Sequence, residues 1–289
     1  MSSAVDIRGA GMRAKGSRAW IGTGATHVVL IVASVFMIFP FVWQILMSLS
    51  TNAQVTSVPP TVWPGTLHWE NFAHVFDQLP FLNQLWVSVA VTIIRTVGQL
   101  LLCSMAGYAF ARMDFPFKRT IFGLVLAILM VPPQVYLLPQ YQIVQGLGWL
   151  NTIAGIAAPG IFSAFGTFLM RQFFLGLPDE LAEAARLDGA NHFQTFWKVM
   201  LPLAKPGLSA LAIITVLASW NDLLWPLIVA TDSTQMPLSA GIATLTSQRS
   251  IPDYPLLLAA SLLAMAPVLI LFLIMQKRVI DGIAFSGMK

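Results

Sequence analysis

Six times along its 289 residues the chain runs for about 20 residues with almost no charge. At 1.5 Å per residue, a helix of that length crosses the roughly 30 Å hydrocarbon core of a bilayer. Inside lipid the backbone must satisfy its own hydrogen bonds, which leaves helices or a closed barrel as the options. The runs cover residues 27–47, 85–110, 121–141, 152–170, 208–230 and 256–275. The second can start a few residues earlier. Prolines at 132, 133, 139 and 159 predict kinks in the third and fourth. Charged residues make up 10% of the chain, against about 25% in a soluble domain. That deficit excludes an ordinary water-soluble fold, a disordered chain and a nucleic-acid binder. The expected fold is all-α and polytopic, with six transmembrane helices between a short tail at 1–26 and another at 276–289. The first run follows Arg8, Arg13, Lys15 and Arg18 as a secretory signal would. At about 21 residues, however, it exceeds the usual ~7–15-residue signal core and is read as a true span.

Orientation follows from where the cations stand, since cytoplasmic loops carry an excess of Lys and Arg. With the N-terminus inside, 14 of the 16 cations fall on the cytoplasmic side; Arg249 is outside and Arg95 lies within a span. An N-in, C-in topology is therefore expected. The external segment 48–84 has no Lys or Arg and is long enough to pack as a small cap. Cys103 has no partner cysteine and reads as a buried, inert thiol.

The longest cytoplasmic connection, 171–205, holds four of the 12 acids: Asp179, Glu180, Glu183 and Asp188. Pro178 suits a first helical position, and the acids after it face the positive end of the helix dipole. Asp188-Gly189 signals a turn in which glycine takes positive φ. Asn191 with Gln194 forms a capping-box pattern that opens a second short helix, and Pro202 is expected to limit it. Phe193, Phe196 and Trp197 are apolar anchors of the type that dominate interfaces.

Glu183-Ala184-Ala185, Gly189, Val199 and Leu201-Pro202 match at every spacing the EAA loop of ATP-binding-cassette importer permeases. The resemblance extends further. Ala106 to Arg112 is similar to the "AYAFAR" segment of carbohydrate-type permeases, Trp220-Asn221-Asp222 to their "WND" signature, and Gln276-Lys277-Arg278 with Gly282 and Gly287 to their C-terminal pattern. Two departures stand out: Trp86-Val87-Ser88 replaces a usual "NSL", and the tail reads Ser286-Gly287-Met288. The resemblance to the maltose-type, MalG-like branch implies a type I importer fold. It also implies a second permease subunit (a paralogue), two cytoplasmic ATPase subunits, an extracytoplasmic solute-binding protein and a bacterial inner-membrane location. Glu183, Ala184, Ala185, Asp188, Gly189, Phe193, Phe196 and Pro202 would then form the surface that meets the ATPase.

Candidate residues for the solute path are Trp220, Asn221, Asp222, Arg95, Gln134 and Tyr136. Ionisable groups within a membrane face the bundle interior or water, and an indole can stack on a pyranose while amides and carboxylates bind hydroxyls. Helix–helix packing is an alternative role for each of them. The chain has no Gly-Lys-Ser/Thr loop, HExxH, GxSxG or CxxC, and its four His have no metal-site spacing. The chain is therefore expected to bind no cofactor and to perform no hydrolysis, with ATP and Mg held by the partner ATPases. A non-sugar cargo such as a glycerophosphodiester or polyamine stays open, as does an ATP-independent secondary transporter, although no inverted repeat supports the latter.

Overall fold

The computed structural model describes residues 15–59, 61–247 and 252–284. Arg8, Arg13, Arg249 and the last motif residues, Gly287, Met288 and Lys289, lie outside the described residues. Helices are α1 (Lys15–Ser48), α2 (Asn52–Val55), α3 (Glu70–Gln78), α4 (Phe81–Arg112), α5 (Lys118–Ile128), α6 (Leu137–Gly146), α7 (Ile153–Ala157) and α8 (Ala164–Leu175). They continue as α9 (Asp179–Leu187), α10 (His192–Thr195), α11 (Leu201–Leu203), α12 (Lys205–Trp220), α13 (Leu224–Val229), α14 (Leu238–Ser247) and α15 (Tyr254–Ala284). No strand occurs among the described residues.

Three of the helices, with Thr26–Ser48, Phe81–Arg112 and Tyr254–Leu273 as their apolar stretches, are each long enough to cross a bilayer. Three further spans arise only if bent helix pairs are each counted as one: Lys118–Ile128 with Pro133–Gly146 (95°), Ile153–Gly160 with Ala164–Leu175 (44°), and His192–Leu203 with Lys205–Trp220 (78°). The third and fourth apolar runs are thus breaks rather than gentle kinks. After α5, the pair Pro132-Pro133 forces extended backbone (Pro132 φ −57°, ψ 133°) and leads into a 3-10 turn at Pro133–Tyr136.

The fifth run is not one helix. α12 stops at Trp220, and a separate short α13 follows. The cause is local. Pro226 has no N–H to pair with the carbonyl of Asp222 four residues earlier, and that oxygen instead accepts the Ser239 hydroxyl at 2.6 Å. Asn221 also closes the helix end, its Nδ2 donating to the Leu217 carbonyl at 2.8 Å.

α4 is the axis of the molecule. Val87 and Val91 join one buried cluster with Ile156, Trp225 and Val229. Cys103 and Tyr108 join a second with Met170, Phe174, Phe196 and Met200. Phe81 joins a third with Val75, Leu238 and Leu256. The 48–84 segment does pack as a cap: Val75 is fully buried, and Asn71 Nδ2 donates to the carbonyls of Ser48 and Ser50 at 2.9 and 3.1 Å. α1 departs from the bundle. It packs on α15 near its C-terminal end, where Gln44 Nε2 reaches the Leu258 carbonyl. Its stretch from Val28 to Phe39, by contrast, is exposed.

Candidate functional site

The segment between α8 and α12 folds as two helices around a tight turn. Pro178 stands at the N-cap of α9 (φ −59°, ψ 138°), one residue before the expected position, and Asp179 and Glu180 occupy the first turn. At the far end Gly189 takes φ +84°. The Ala190 N–H returns to the Ala185 carbonyl at 3.0 Å and the Gly189 N–H to Arg186 at 2.9 Å, a glycine-terminated helix end that satisfies orphan carbonyls. Asn191 and Gln194 then form the expected reciprocal box: Gln194 N–H donates to Asn191 Oδ1 at 2.9 Å and Asn191 N–H to Gln194 Oε1 at 3.0 Å.

Pro202 does not end the second helix, which continues to Leu203. A π-helical stretch at Phe196–Met200 precedes it, with the Leu201 N–H bonded back to Phe196. The wider turn makes room for a proline ring that would collide with the carbonyl four residues earlier. The hairpin therefore feeds into α12 with only Ala204 between them.

The eight coupling candidates divide by exposure. Glu183, Ala184, Asp188, Gly189, Phe193 and Pro202 are exposed, while Ala185 is buried. Phe193 is 61% exposed, but Phe196 is only 3% exposed and packs tilted against Tyr108 and edge-on to Phe174, with centroids 5.2 and 6.2 Å away. Phe196 is thus core and not an outward anchor. Leu187 supplies the apolar surface that pattern reading passed over; at 89% exposure it stands directly before the turn.

Arg112, read from the sequence as a cytoplasmic cation and the last residue of the "AYAFAR"-like segment, holds the hairpin to α4. Its Nη2 donates to the carbonyls of Phe174 (2.7 Å) and Leu177, its Nε reaches Phe174 at 3.1 Å, and Nη1 pairs with Asp179. These carbonyls close α8, where the dipole attracts a cation. The available signal was an arginine ending one helix opposite the end of another, which cannot be read without knowing that α4 and α8 are neighbours.

Arg95 and Asp222, both path candidates, pair with each other: Arg95 Nη1 meets Asp222 Oδ2 at 2.7 Å. Trp220 donates Nε1 to the Ala264 carbonyl at 3.2 Å and, with Asn221, lines a cavity of about 380 Å³ with Gln44, Ser239, Ser261 and Met265. Gln134 and Tyr136 are exposed on the 3-10 turn after α5 and do not line this cavity. On the cap, His68 Nδ1 lies 2.6 Å from Glu70 Oε1 and holds the Glu70 carboxyl below its ordinary value.

The family described as binding-protein-dependent transport system inner membrane component matches residues 99–284. The chain belongs to that family. It is an inner-membrane permease component of a binding-protein-dependent transport system. Relatives include the sn-glycerol-3-phosphate transport system permease protein UgpE of Yersinia enterocolitica, 34% identical over 267 residues, covering 90% of this chain and 95% of that one. The arabinooligosaccharides transport system permease protein AraQ of Halalkalibacterium halodurans is 37% identical over 259 residues, 87% and 91% of the two chains. AraQ of Bacillus subtilis is 34% identical over 268 residues, 92% and 95%. A chain from the crystal structure of a bacterial ABC transporter involved in import of the acidic polysaccharide alginate superposes with a TM-score of 0.74 at 22% identity, over 91% of this chain and 98% of that one. This all-helical permease thus has the type I importer fold expected from its EAA segment.

Proposed function

We infer that this permease forms half of a solute path, with the hairpin around Glu183–Gly189 on the cytoplasmic side transmitting the closure of two ATPase subunits. A second permease, a paralogue of this one, completes the path, and an external binding protein delivers the solute. ATP and Mg belong to the ATPases; this chain contributes movement and not chemistry. N-in, C-in topology, six spans and the lipid-facing surface of α1 are part of the same reading. The single observation that carries it is the hairpin. It is capped at both turns, anchored by Arg112, joined to α12 through Ala204 alone, and it presents Glu183, Leu187 and Phe193 outward.

For cargo, a neutral sugar fits the cavity beside Trp220. Its lining holds amides (Gln44, Asn221), hydroxyls (Ser239, Ser261) and an indole, and no Lys or Arg. A phosphate-bearing solute would call for a cation there, and glycerol-phosphate cargo, which one group of relatives carries by name, is the second reading. Trp220 and Asn221 are the residues proposed to meet the solute from this cavity. Gln134 and Tyr136 are proposed to line the path elsewhere, at the α5–α6 break.

The test is to co-express the chain with its partners and purify the assembly. ATP hydrolysis is then compared in wild type, Glu183→Ala and Gly189→Asp. Both changes are expected to abolish coupled transport while the ATPases fold normally. Failure of ATPase subunits to co-purify, or intact coupling in both variants, defeats the reading. Thermal-shift screening of the cognate binding protein against arabinooligosaccharides and sn-glycerol 3-phosphate decides the cargo.

A further inference from the structure

Side chains of α4 join two places where apolar runs break, the one between α7 and α8 and the one after α12. At the α7–α8 break, Pro159 has no N–H for the Gly155 carbonyl, and the Trp225 indole Nε1 of α13 donates to it at 3.1 Å. The Ile156 carbonyl accepts Arg95 Nη2 at 2.6 Å and the Gly160 carbonyl accepts Gln99 Nε2 at 2.8 Å. Both donors come from α4. The same two residues hold α12 as well: Arg95 through Asp222 at 2.7 Å, immediately past the helix end, and Gln99 through the Thr215 hydroxyl at 2.9 Å.

Arg95 is in no position to serve solute. Its side chain is 8% exposed. A Cβ built on Gly160 would stand 2.5 Å from Arg95 Nε, so the backbone of the break closes over the guanidinium. A buried ion pair adds little net stability, and its consequence is geometric. α12 leaves the hairpin at a 78° bend with only Ala204 between them, and 16 residues of helix make a rod of about 24 Å. The Arg95–Asp222 pair stands at the far end of that rod.

We propose that Arg95 is a positioning residue for transport: through Asp222 and the Ile156 carbonyl it fastens the α12 end to the α7–α8 break. A displacement entering at the hairpin thereby reaches both breaks together. Coupling of this type is carried by a packed, hydrogen-bonded element with two arrangements. The inference rests on the permease reading above and assigns Arg95 and Asp222 to transmission, leaving solute contact to Trp220 and Asn221.

The test uses the whole complex in proteoliposomes with its ATPases. ATP hydrolysis is measured against the concentration of the purified cognate binding protein, charged with arabinotriose in one arm and sn-glycerol 3-phosphate in the other. Asp222→Asn and Arg95→Met are expected to lower the stimulated kcat about tenfold while KM for the loaded binding protein stays within about twofold. Arg95→Lys, which keeps the charge pair, is expected to exceed Arg95→Met. Should either of the first two variants fail to assemble, Trp225→Phe decides, since it removes only the indole donor from the same break; a fall in kcat at unchanged KM supports the proposal. Stimulated wild type with unchanged variants, or a raised KM at unchanged kcat, overturns the positioning role alone. Wild type that neither solute-charged binding protein stimulates overturns the coupling reading above, and this inference with it.

Discussion

Single residues of the hairpin separate backbone needs from surface needs. Gly189 at φ +84° is the position where a Cβ is costly; an L-residue in the left-handed region costs roughly 1–2 kcal/mol. Gly189→Ala is expected to lower the melting temperature of the purified chain in detergent, and Gly189→Asn to lower it less, because asparagine tolerates this conformation. Equal losses in the two would show that crowding, and not φ, is the problem. Phe193 and Phe196 are three residues apart and opposite in role. Phe196→Ala, in the cluster with Tyr108 and Phe174, is expected to cost about 3–5 kcal/mol. Phe193→Ala, on an exposed side chain, should change stability by no more than about 0.5 kcal/mol and instead weaken retention of ATPase subunits on an affinity column. The sequence marked both as apolar anchors, because residue type is visible there and the neighbouring helix is not.

At the scale of elements, the hairpin is held by its attachment more than by its own helices. α9 has nine residues, and the second helix runs only from His192 to Leu203, lengths at which isolated helices are marginal in water. Arg112 supplies the missing support from α4, and hydrogen bonds to a charged group contribute about 1.5–3 kcal/mol. Arg112→Met is therefore expected to raise amide hydrogen exchange across residues 177–203 while exchange in α4 near Val91 is unchanged. Uniform protection in the variant would mean that packing of Phe196 and Met200 alone holds the hairpin. The turn and the capping box were legible in the sequence because each depends on residues within four positions. The Arg112 attachment spans more than sixty residues and was not. The fifth apolar run shows the converse limit: its apolar content continues through Leu223–Ala230, so hydropathy reads one span. The break after Trp220 comes from a missing proline N–H and from Ser239, which arrives from α14.

For the whole molecule, the expected topology makes a direct prediction. In a Cys103→Ser background, which removes the buried thiol, Lys118→Cys is expected to label with a membrane-impermeant maleimide only from the cytoplasmic side. Val58→Cys, 95% exposed in the cap segment, is expected to label only from outside. The reverse pattern would invert the orientation derived from the cations. α1 leaves a long apolar surface uncovered among the described residues, with Phe36 and Met37 at 80% and 72% exposure; such a surface needs lipid or a partner subunit to cover it.

Taken by itself, the sequence determined that the chain is a helical membrane protein, where its apolar runs lie, and the turn and cap of the hairpin. These depend on runs of hydropathy and on hydrogen bonds between near neighbours. Tertiary structure alone decided that Arg95 and Asp222, 127 residues apart, neutralise each other, that Phe196 faces inward, and that the fifth apolar run breaks after Trp220. Each of those outcomes depends on which helix lies alongside: the end of α12 beside Arg95, the Tyr108 and Phe174 rings beside Phe196, and Ser239 of α14 beside the carbonyl that Pro226 leaves unpaired. That information resides in the packing of α4 against α8 and α12, and no local pattern encodes it.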